Sequence, residues 1–254
     1  MQKFIVEGGI ALSGSITPSG NKNEALPVIA ATLLAEEPVI LHNLPDIIDI
    51  AIMRELLVSL GVEVEQIDKH TYRFDSSKLN STVPDSEQAE RIRGSFLLAG
   101  PLLARKKSID LPAPGGDRIG LRPVHTHLFA LEKLGASIVL NENSHYQMRT
   151  PGLKGTEIYL DEASVMATEN TIMASVTAKG KTSIYNAACE PHVQGLCHFL
   201  VMLGAKIDGI GSNLLLIEGV SGLAGGDYTI QPDHTEVGSF IGLAVVTGSE
   251  LRIK

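Results

Sequence analysis

One carboxylate and two guanidinium groups, Asp117, Arg118 and Arg122, are set into the run Leu111-Pro-Ala-Pro-Gly-Gly-Asp-Arg-Ile-Gly-Leu-Arg-Pro123. Three prolines and three glycines in thirteen residues exclude a continuous helix or strand and give stiff corners and freely turning joints. A helix is expected directly after Pro123, which places Arg122 near its positive end, where anions are favoured. A second basic group stands in the same kind of place. Asn21-Lys-Asn-Glu-Ala-Leu-Pro27 opens a helix expected to run to about Ala35, with Lys22 at its mouth and Pro27 taken to lie near the first turn. Free N–H groups, the helix dipole and Lys22 together suit a phosphate or a carboxylate. The chemistry these residues offer is the handling of a small anion.

The elements that must hold them recur. Leu-Gly followed by an alternating run occurs at Leu60-Gly61, Leu134-Gly135 and Leu203-Gly204, at intervals of about seventy residues. A helix-period stripe precedes each: Ile50, Met53, Leu57, Leu60; Val124, Leu128, Leu131, Leu134; Val193, Leu196, Leu200, Leu203. The glycine falls where a helix end needs the left-handed conformation. Upstream lie the X-Pro steps Leu44-Pro45, Arg122-Pro123 and Glu190-Pro191, and before those the short β runs Val39-Ile-Leu, Ser108-Ile-Asp-Leu and Thr182-Ser-Ile-Tyr. The unit reads as helix, strand, helix, strand, with closing strands at Tyr72-Arg-Phe and Leu214-Leu-Leu-Ile. Three such units bury their helices together and turn their sheets outward, a repeat architecture of α/β class rather than a doubly wound nucleotide-type sheet.

The repeat also isolates the glycine-rich loop. The path from strand isoleucine to X-Pro proline is short in the first unit (Ile40 to Pro45) and the third (Ile184 to Pro191), and far longer in the second (Ile109 to Pro123). An insertion on one copy of a repeated scaffold is where binding is usually done. Outside the repeats, Phe4-Ile-Val and Ala11-Leu-Ser-Gly-Ser-Ile alternate and are expected as strands.

Bulk properties narrow the class. The 254 residues are 44% hydrophobic, enough for one large domain or two modest ones. A net charge of −8 with no long basic stripe argues against a nucleic-acid surface. Cys189 and Cys197 are too few to staple a chain of this size, which points to a reducing compartment. Neither a signal-peptide core nor a run of membrane-spanning length is present, so a soluble, cytoplasmic protein without membrane contact is expected.

Ser19-Gly-Asn-Lys-Asn-Glu-Ala-Leu-Pro27 with Leu33-Leu-Ala-Glu-Glu-Pro38, Arg93-Gly-Ser95, Gly100-Pro-Leu-Leu-Ala-Arg105, the loop ending Gly120-Leu-Arg-Pro123, Ala167-Thr-Glu-Asn170 and Glu190-Pro191 together resemble the UDP-N-acetylglucosamine enolpyruvyl transferase (1-carboxyvinyltransferase) family. The resemblance covers the whole chain. The sister shikimate-pathway enolpyruvyl transferases typically have Lys-Ser where this chain has Lys22-Asn23. The fold implied is an inside-out α/β barrel of three repeated helix-strand-helix-strand units, paired with a second barrel across the active-site cleft.

The implied reaction is transfer of enolpyruvyl from phosphoenolpyruvate to the 3-hydroxyl of UDP-N-acetylglucosamine with release of phosphate, the committed step of peptidoglycan precursor synthesis. It needs an acid for the vinyl carbon, a base for the hydroxyl and cations around phosphate. By the same resemblance Lys22 and Asn23 contact phosphoenolpyruvate, Arg93 and Arg122 hold anions, and Arg122, Pro123, Val124, His125, Thr126, Ser164 and Val165 contact the nucleotide-sugar. No cofactor or metal is implied. Glu162 stands where the family commonly has a lysine. Asp117 stands where most members carry a cysteine and a minority an aspartate. As the acid it needs its pKa lifted above ~4, against the pull of Arg118, so the loop is expected to close over substrate and shed water. A carboxylate there also implies insensitivity to fosfomycin, which alkylates the cysteine.

The resemblance further implies that residues 22–231 form one complete three-repeat domain carrying the catalytic loop. Residues 1–21 and 232–254, with a helix from Pro232 and a strand from Glu250 to Lys254, would be parts of a second, incomplete one. The family's sugar-side aspartate would lie past Lys254, so this chain alone is expected to be inactive. A non-catalytic UDP-sugar-binding fragment and a shikimate-pathway transferase are the alternatives.

Overall fold

The structure is a computed structural model and describes residues 3–116, 120 and 123–254. Strand β1 (Ser13–Ile16) precedes a first stretch of α1 (Lys22–Ala31), β2 (Val39–His42), α2 (Ile48–Ser59), β3 (Glu63–Asp68) and β4 (Thr71–Asp75). A second stretch holds α3 (Ser86–Arg91), α4 (Ala99–Lys106), β5 (Ser108–Pro112), α5 (His125–Lys133), β6 (Ser137–Leu140) and β7 (His145–Arg149). A third holds β8 (Glu157–Tyr159), α6 (Val165–Ser175), β9 (Lys181–Tyr185), α7 (Pro191–Met202), β10 (Lys206–Asp208) and β11 (Leu214–Glu218). Then come β12 (Gly226–Thr229), α8 (His234–Thr247) and β13 (Glu250–Ile253).

The periodic stripes are the buried faces of α2, α5 and α7. Met53, Leu57, Leu60, Leu131, Leu134, Leu196 and Leu200 have no exposed surface, Val124 is buried one step ahead of α5, and Leu128 is half-buried. After each of these helices the chain turns at a glycine in the left-handed region: Gly61 at φ 96°, Gly135 at 100° and Gly204 at 106°. A residue with a Cβ is strained there, which is why the same dipeptide ends all three.

Apart from the β1–β13 pair, the strands of the described residues form three separate sheets of one pattern. Two have four strands, in the orders β12-β2-β4-β3 and β8-β9-β11-β10, with the first pair parallel and the other two antiparallel. The third, β5-β7-β6, has the last three strands of that order, and beyond β5 the Asp110 N–H donates to the Thr82 carbonyl. Strand β12 reaches back from the end of the third stretch to pair with β2, Gly226 opposite Val39. Among the described residues none of these sheets closes on itself.

Between the sheets lie helices buried nearly all round: α1 from Glu24 to Ala31, α4 from Ala99 to Leu103 and α6 from Ala167 to Ser175. Helices without a polar face belong in an interior. Helix α4 packs on α6, α6 also on α5 and α7, and α1 on α2 and α7. Pro27 lies in the second turn of α1, not near its first as expected, because the helix already starts at Lys22. Proline there denies a donor to the Asn23 carbonyl and costs about 3 kcal/mol. Burial of Val28, Ile29 and Leu33 along the same segment, at about 1.5–3 kcal/mol each, offsets it.

The outer segments behave differently. Phe4, Ile5 and Val6, expected as a strand, are 98%, 92% and 87% exposed and have no partner strand among the described residues. Strand β1 forms because β13 runs parallel to it, Ser13 opposite Glu250. Helix α8 buries no residue, and Val245 and Val246 are 75% and 81% exposed. Its first turn is nevertheless tied to the chain entering α1. The Ser19 N–H and Oγ both donate to Glu236 Oε2 at 2.7 Å, and the Asp233 N–H donates to the Ser19 carbonyl at 2.8 Å.

Candidate active site

The mouth of α1 is built by Asn21. Its Oδ1 accepts from the N–H groups of Asn23 and Glu24, while its Nδ2 contacts His234 Nδ1 at 3.0 Å. The expectation of free N–H groups here is therefore corrected, since the side-chain cap has taken two of them. What remains for an anion is the helix dipole and the Lys22 ammonium, which is half-exposed and paired with Asp49 from the start of α2.

Lys22 opens onto a cavity of about 410 Å³. Its wall carries Lys22, Asn23 and Pro27 from α1, Asp49 from α2, Arg91 at the end of α3, and Arg93 from the turn that follows. Gly116 closes it from the glycine-rich loop, Val165, Met166 and Glu169 from α6, and His192 from α7. Three cations and three further ionisable groups, Asp49, Glu169 and His192, thus converge from five helices and two connecting segments. Gly116 has φ 90°, and a Cβ there would lie 3.2 Å from the Arg93 nitrogen, so the loop reaches the cavity through a position suited to glycine. Arg93 Nη2 donates to the Pro123 carbonyl at 3.2 Å, joining the far end of the loop to the same wall.

Two groups on this wall are buried without a partner among the described residues: Glu169 Oε1 and His192 Nδ1. Burial, reinforced by Glu190, raises the Glu169 carboxyl pKa well above the ordinary carboxylate value, which favours its proton-bearing form. Burial also lowers His192, against the opposing pull of Glu190. The His192 ring stacks on His234 at 5.8 Å, which sets the cavity wall against the start of α8.

A second, shallower groove of about 360 Å³ lies at the start of α5, lined by His125, Leu128, Phe129, Glu132 and Asp161. Asp161 pins that helix end: Oδ1 accepts from Thr126 Oγ1 at 2.8 Å and Oδ2 lies 2.7 Å from His125 Nε2. The Thr126 bond chiefly, and His125 after it, hold Asp161 below the usual carboxylate range. Ser164 caps α6, accepting from the Ala167 N–H at 3.4 Å.

Behind the cavity, Asn170 locks three elements together. Its Nδ2 donates to the Phe96 carbonyl at 2.8 Å and meets His127 Nδ1 at 2.9 Å, while its Oδ1 accepts from the Gly100 N–H at 2.8 Å. His127 is thereby neutral. Burial first, then the positive field of Arg93 and His125, lowers its pKa to about 3.

Of the sequence-predicted residues, Lys22, Asn23, Arg93 and Val165 line the cavity, with Ser164 next to it in sequence. His125 lines the groove, and Thr126 is bonded to Asp161 beneath it. Pro123 accepts from Arg93, and Val124 is buried at the start of α5. Asp117, Arg118 and Arg122 lie outside the described residues. Sequence reasoning missed Asp49, Arg91, Asp161, Glu169 and His192. Glu169 stands inside the quoted Ala167-Thr-Glu-Asn170, and only its burial among apolar helix positions set it apart. The cysteines are free, Cys189 exposed and Cys197 buried. No helix among the described residues is long and apolar enough to cross a membrane, and no group of three or more His, Cys, Asp or Glu is gathered as for a metal.

Three comparisons bear on this arrangement. The sequence profile of EPSP synthase (3-phosphoshikimate 1-carboxyvinyltransferase) matches residues 6–254. The chain is 53% identical over 251 residues to the UDP-N-acetylglucosamine 1-carboxyvinyltransferase of Bradyrhizobium diazoefficiens, covering 99% of this chain and 58% of that protein. It is 51% identical to the enzyme of that name from Treponema pallidum, covering 100% of this chain and 59% of the relative. The chain thus spans less than two thirds of the length of these relatives. Among solved structures it resembles the enolpyruvyl transferase NikO from Streptomyces tendae, with TM-score 0.85, 25% identity, and coverage of 97% of this chain and 58% of that one. An EPSP synthase from Acinetobacter baumannii shares the fold, with TM-score 0.76 at 22% identity and coverage of 97% and 56%.

Proposed function

We propose, for a chain that belongs to the family of EPSP synthase (3-phosphoshikimate 1-carboxyvinyltransferase), that it carries the phosphoenolpyruvate- and nucleotide-binding half of a UDP-N-acetylglucosamine enolpyruvyl transferase. The observation that carries this reading is the convergence of Lys22, Arg91 and Arg93 on one cavity that Gly116 of the glycine-rich segment also lines. Relatives at 46–53% identity named for that nucleotide-sugar favour it over a shikimate-type acceptor.

In the proposed reaction the 3-hydroxyl of UDP-N-acetylglucosamine gives its proton to a base and its oxygen adds to C2 of phosphoenolpyruvate, while C3 takes a proton from an acid. The C2–O–phosphate bond then breaks, C3 returns a proton, and phosphate leaves with the bonding pair. Lys22, Arg93 and Arg122 neutralise phosphate and carboxylate charge, which grows on the departing group. Asn23 assists Lys22 at the helix mouth, and Asp117 delivers the proton to C3. Pro123 to Thr126, with Ser164 and Val165, are proposed to face the nucleotide-sugar, the groove beside His125 giving it room.

Residues 22–231 are proposed as one inside-out barrel of three repeats, supported by the shared strand order of the three sheets and the buried helices between them. Residues 1–21 and 232–254 are assigned to a second body, supported by the pairing of β1 with β13 and the unburied α8. The step is placed in cytoplasmic peptidoglycan precursor synthesis. A carboxylate at position 117 is a poor nucleophile toward an epoxide, so fosfomycin is expected to leave Asp117 unmodified and to alkylate an Asp117→Cys variant. Intact-mass spectrometry after exposure reads the difference.

Calorimetry tests the binding claim. UDP-N-acetylglucosamine should bind, and Arg122→Ala should weaken its binding by roughly 1.5–3 kcal/mol if one charge-assisted contact is lost. Preferential binding of shikimate 3-phosphate would reassign the acceptor.

A further inference from the structure

The proposed chemistry leaves one cavity-lining group unused. Glu169 is 1% exposed, sits on α6 between Thr168 and Asn170, and lines the same wall as Lys22 and Arg93. Its Oε1 is buried and meets no hydrogen-bond donor or acceptor among the described residues. A buried polar atom without a partner destabilises the fold unless something pairs with it. Glu24, the other buried glutamate in this region, shows the contrast. Its Oε1 accepts from Tyr228 Oη at 2.9 Å and from the Gln231 N–H at 3.3 Å, with Gly195 making room for it. Glu24 is a satisfied structural group, and Glu169 is not.

We propose that Glu169 is a ligand-binding residue that uses its carboxylic O–H to donate a hydrogen bond to an oxygen of the anion held by Lys22 and Arg93. This rests on the reading of the cavity as an anion site. The groups that surround Glu169 fix which form it takes. Lys22 comes from α1, Asp49 from α2, Arg91 and Arg93 from the segment after β4, and His192 and Cys197 from α7, with Glu190 just ahead of α7. Burial and the Glu190 carboxylate favour the proton-bearing form. That form adds no negative charge to a site meant for an anion, and it offers a donor where water is excluded. An ionised Glu169 would do the opposite and repel the ligand. The site therefore binds best when Glu169 is protonated and loses affinity as pH rises through its elevated pKa.

The test is a calorimetric titration of the 254-residue chain with sulfate, whose charge is constant across the range, at about pH 6 and about pH 9. The wild type should bind sulfate more tightly at the lower pH. Glu169→Gln keeps a donor and cannot ionise, so it should hold the low-pH affinity and show a smaller fall. Any fall that remains reports other groups on the wall, His192 among them. Glu169→Leu removes the donor and should weaken low-pH binding about tenfold or more. Unchanged affinity and pH dependence in Glu169→Leu would overturn the role of Glu169 alone. If circular dichroism shows that variant unfolded, parallel pH profiles of the wild type and Glu169→Gln would overturn it equally. No sulfate binding by the wild type would overturn the anion cavity together with this proposal.

Discussion

Gly100 and Asn170 fit each other closely: the Gly100 N–H donates to Asn170 Oδ1 at 2.8 Å, and a Cβ at Gly100 would lie 2.5 Å from the Asn170 carbonyl oxygen. The contact sets the distance between α4 and α6, and hence the position of the Glu169 wall against Arg93. A methyl group there must push backbone rather than a flexible side chain. Gly100→Ala is expected to destabilise by about 1–3 kcal/mol despite its better helix propensity. At about 2–4 °C per kcal/mol for a chain of this size, thermal denaturation reads it directly. An unchanged or raised melting temperature would mean that α4 and α6 can slide apart without cost.

His127 gives the fold a defined acid weakness. Its pKa is about 3 when folded, against about 6.5 unfolded, so above 6.5 neither state binds a proton there. As pH falls below 6.5 the unfolded chain takes up a proton that the folded one refuses, and stability drops until the folded pKa is reached. Each pKa unit of difference is worth about 1.4 kcal/mol. His127→Gln keeps an acceptor for Asn170 and removes this titration, so its denaturant midpoint should fall less than the wild type's between about pH 7.5 and about pH 5. Equal falls would place the acid sensitivity elsewhere, with His192 the next group to examine.

Asp49 competes with any anion for Lys22. The pair is half-exposed, which limits its worth to about 0.2–1 kcal/mol. Asp49→Asn is expected to tighten phosphoenolpyruvate binding by at most about fivefold, and Lys22→Ala to weaken it by more than that. Calorimetry on the two variants measures both. Weaker binding in Asp49→Asn would show that Asp49 orients the lysine rather than restraining it.

Local signals were readable in the sequence and distant convergence was not. The Leu-Gly pairs at 60–61, 134–135 and 203–204 report a helix face and a left-handed residue, both local properties, and all three hold. Strand β7 was missed because His145-Tyr-Gln-Met-Arg149 buries only Met148 and so carries little apolar alternation. Phe4-Ile-Val6 misled in the other direction, since alternation alone does not supply a partner strand. At the site, Lys22 was visible as a cation at a helix mouth. That Asn21 would cap the neighbouring N–H groups depends on its rotamer and on the contact with His234, more than two hundred residues away. Asp49, Glu169 and His192 join the cavity only through the packing of α1, α2, α6 and α7, which no local pattern encodes.

The cavity at Lys22 is proposed to bind phosphoenolpyruvate for transfer to UDP-N-acetylglucosamine. The most direct measurement is phosphate release by residues 1–254 joined to the part of the Bradyrhizobium relative that this chain does not cover. With both substrates present the chimera should release phosphate at about 1–10 per second and form the enolpyruvyl nucleotide-sugar, and Lys22→Ala should abolish both. Phosphate release that proceeds with shikimate 3-phosphate instead, or that survives Lys22→Ala, would contradict the account.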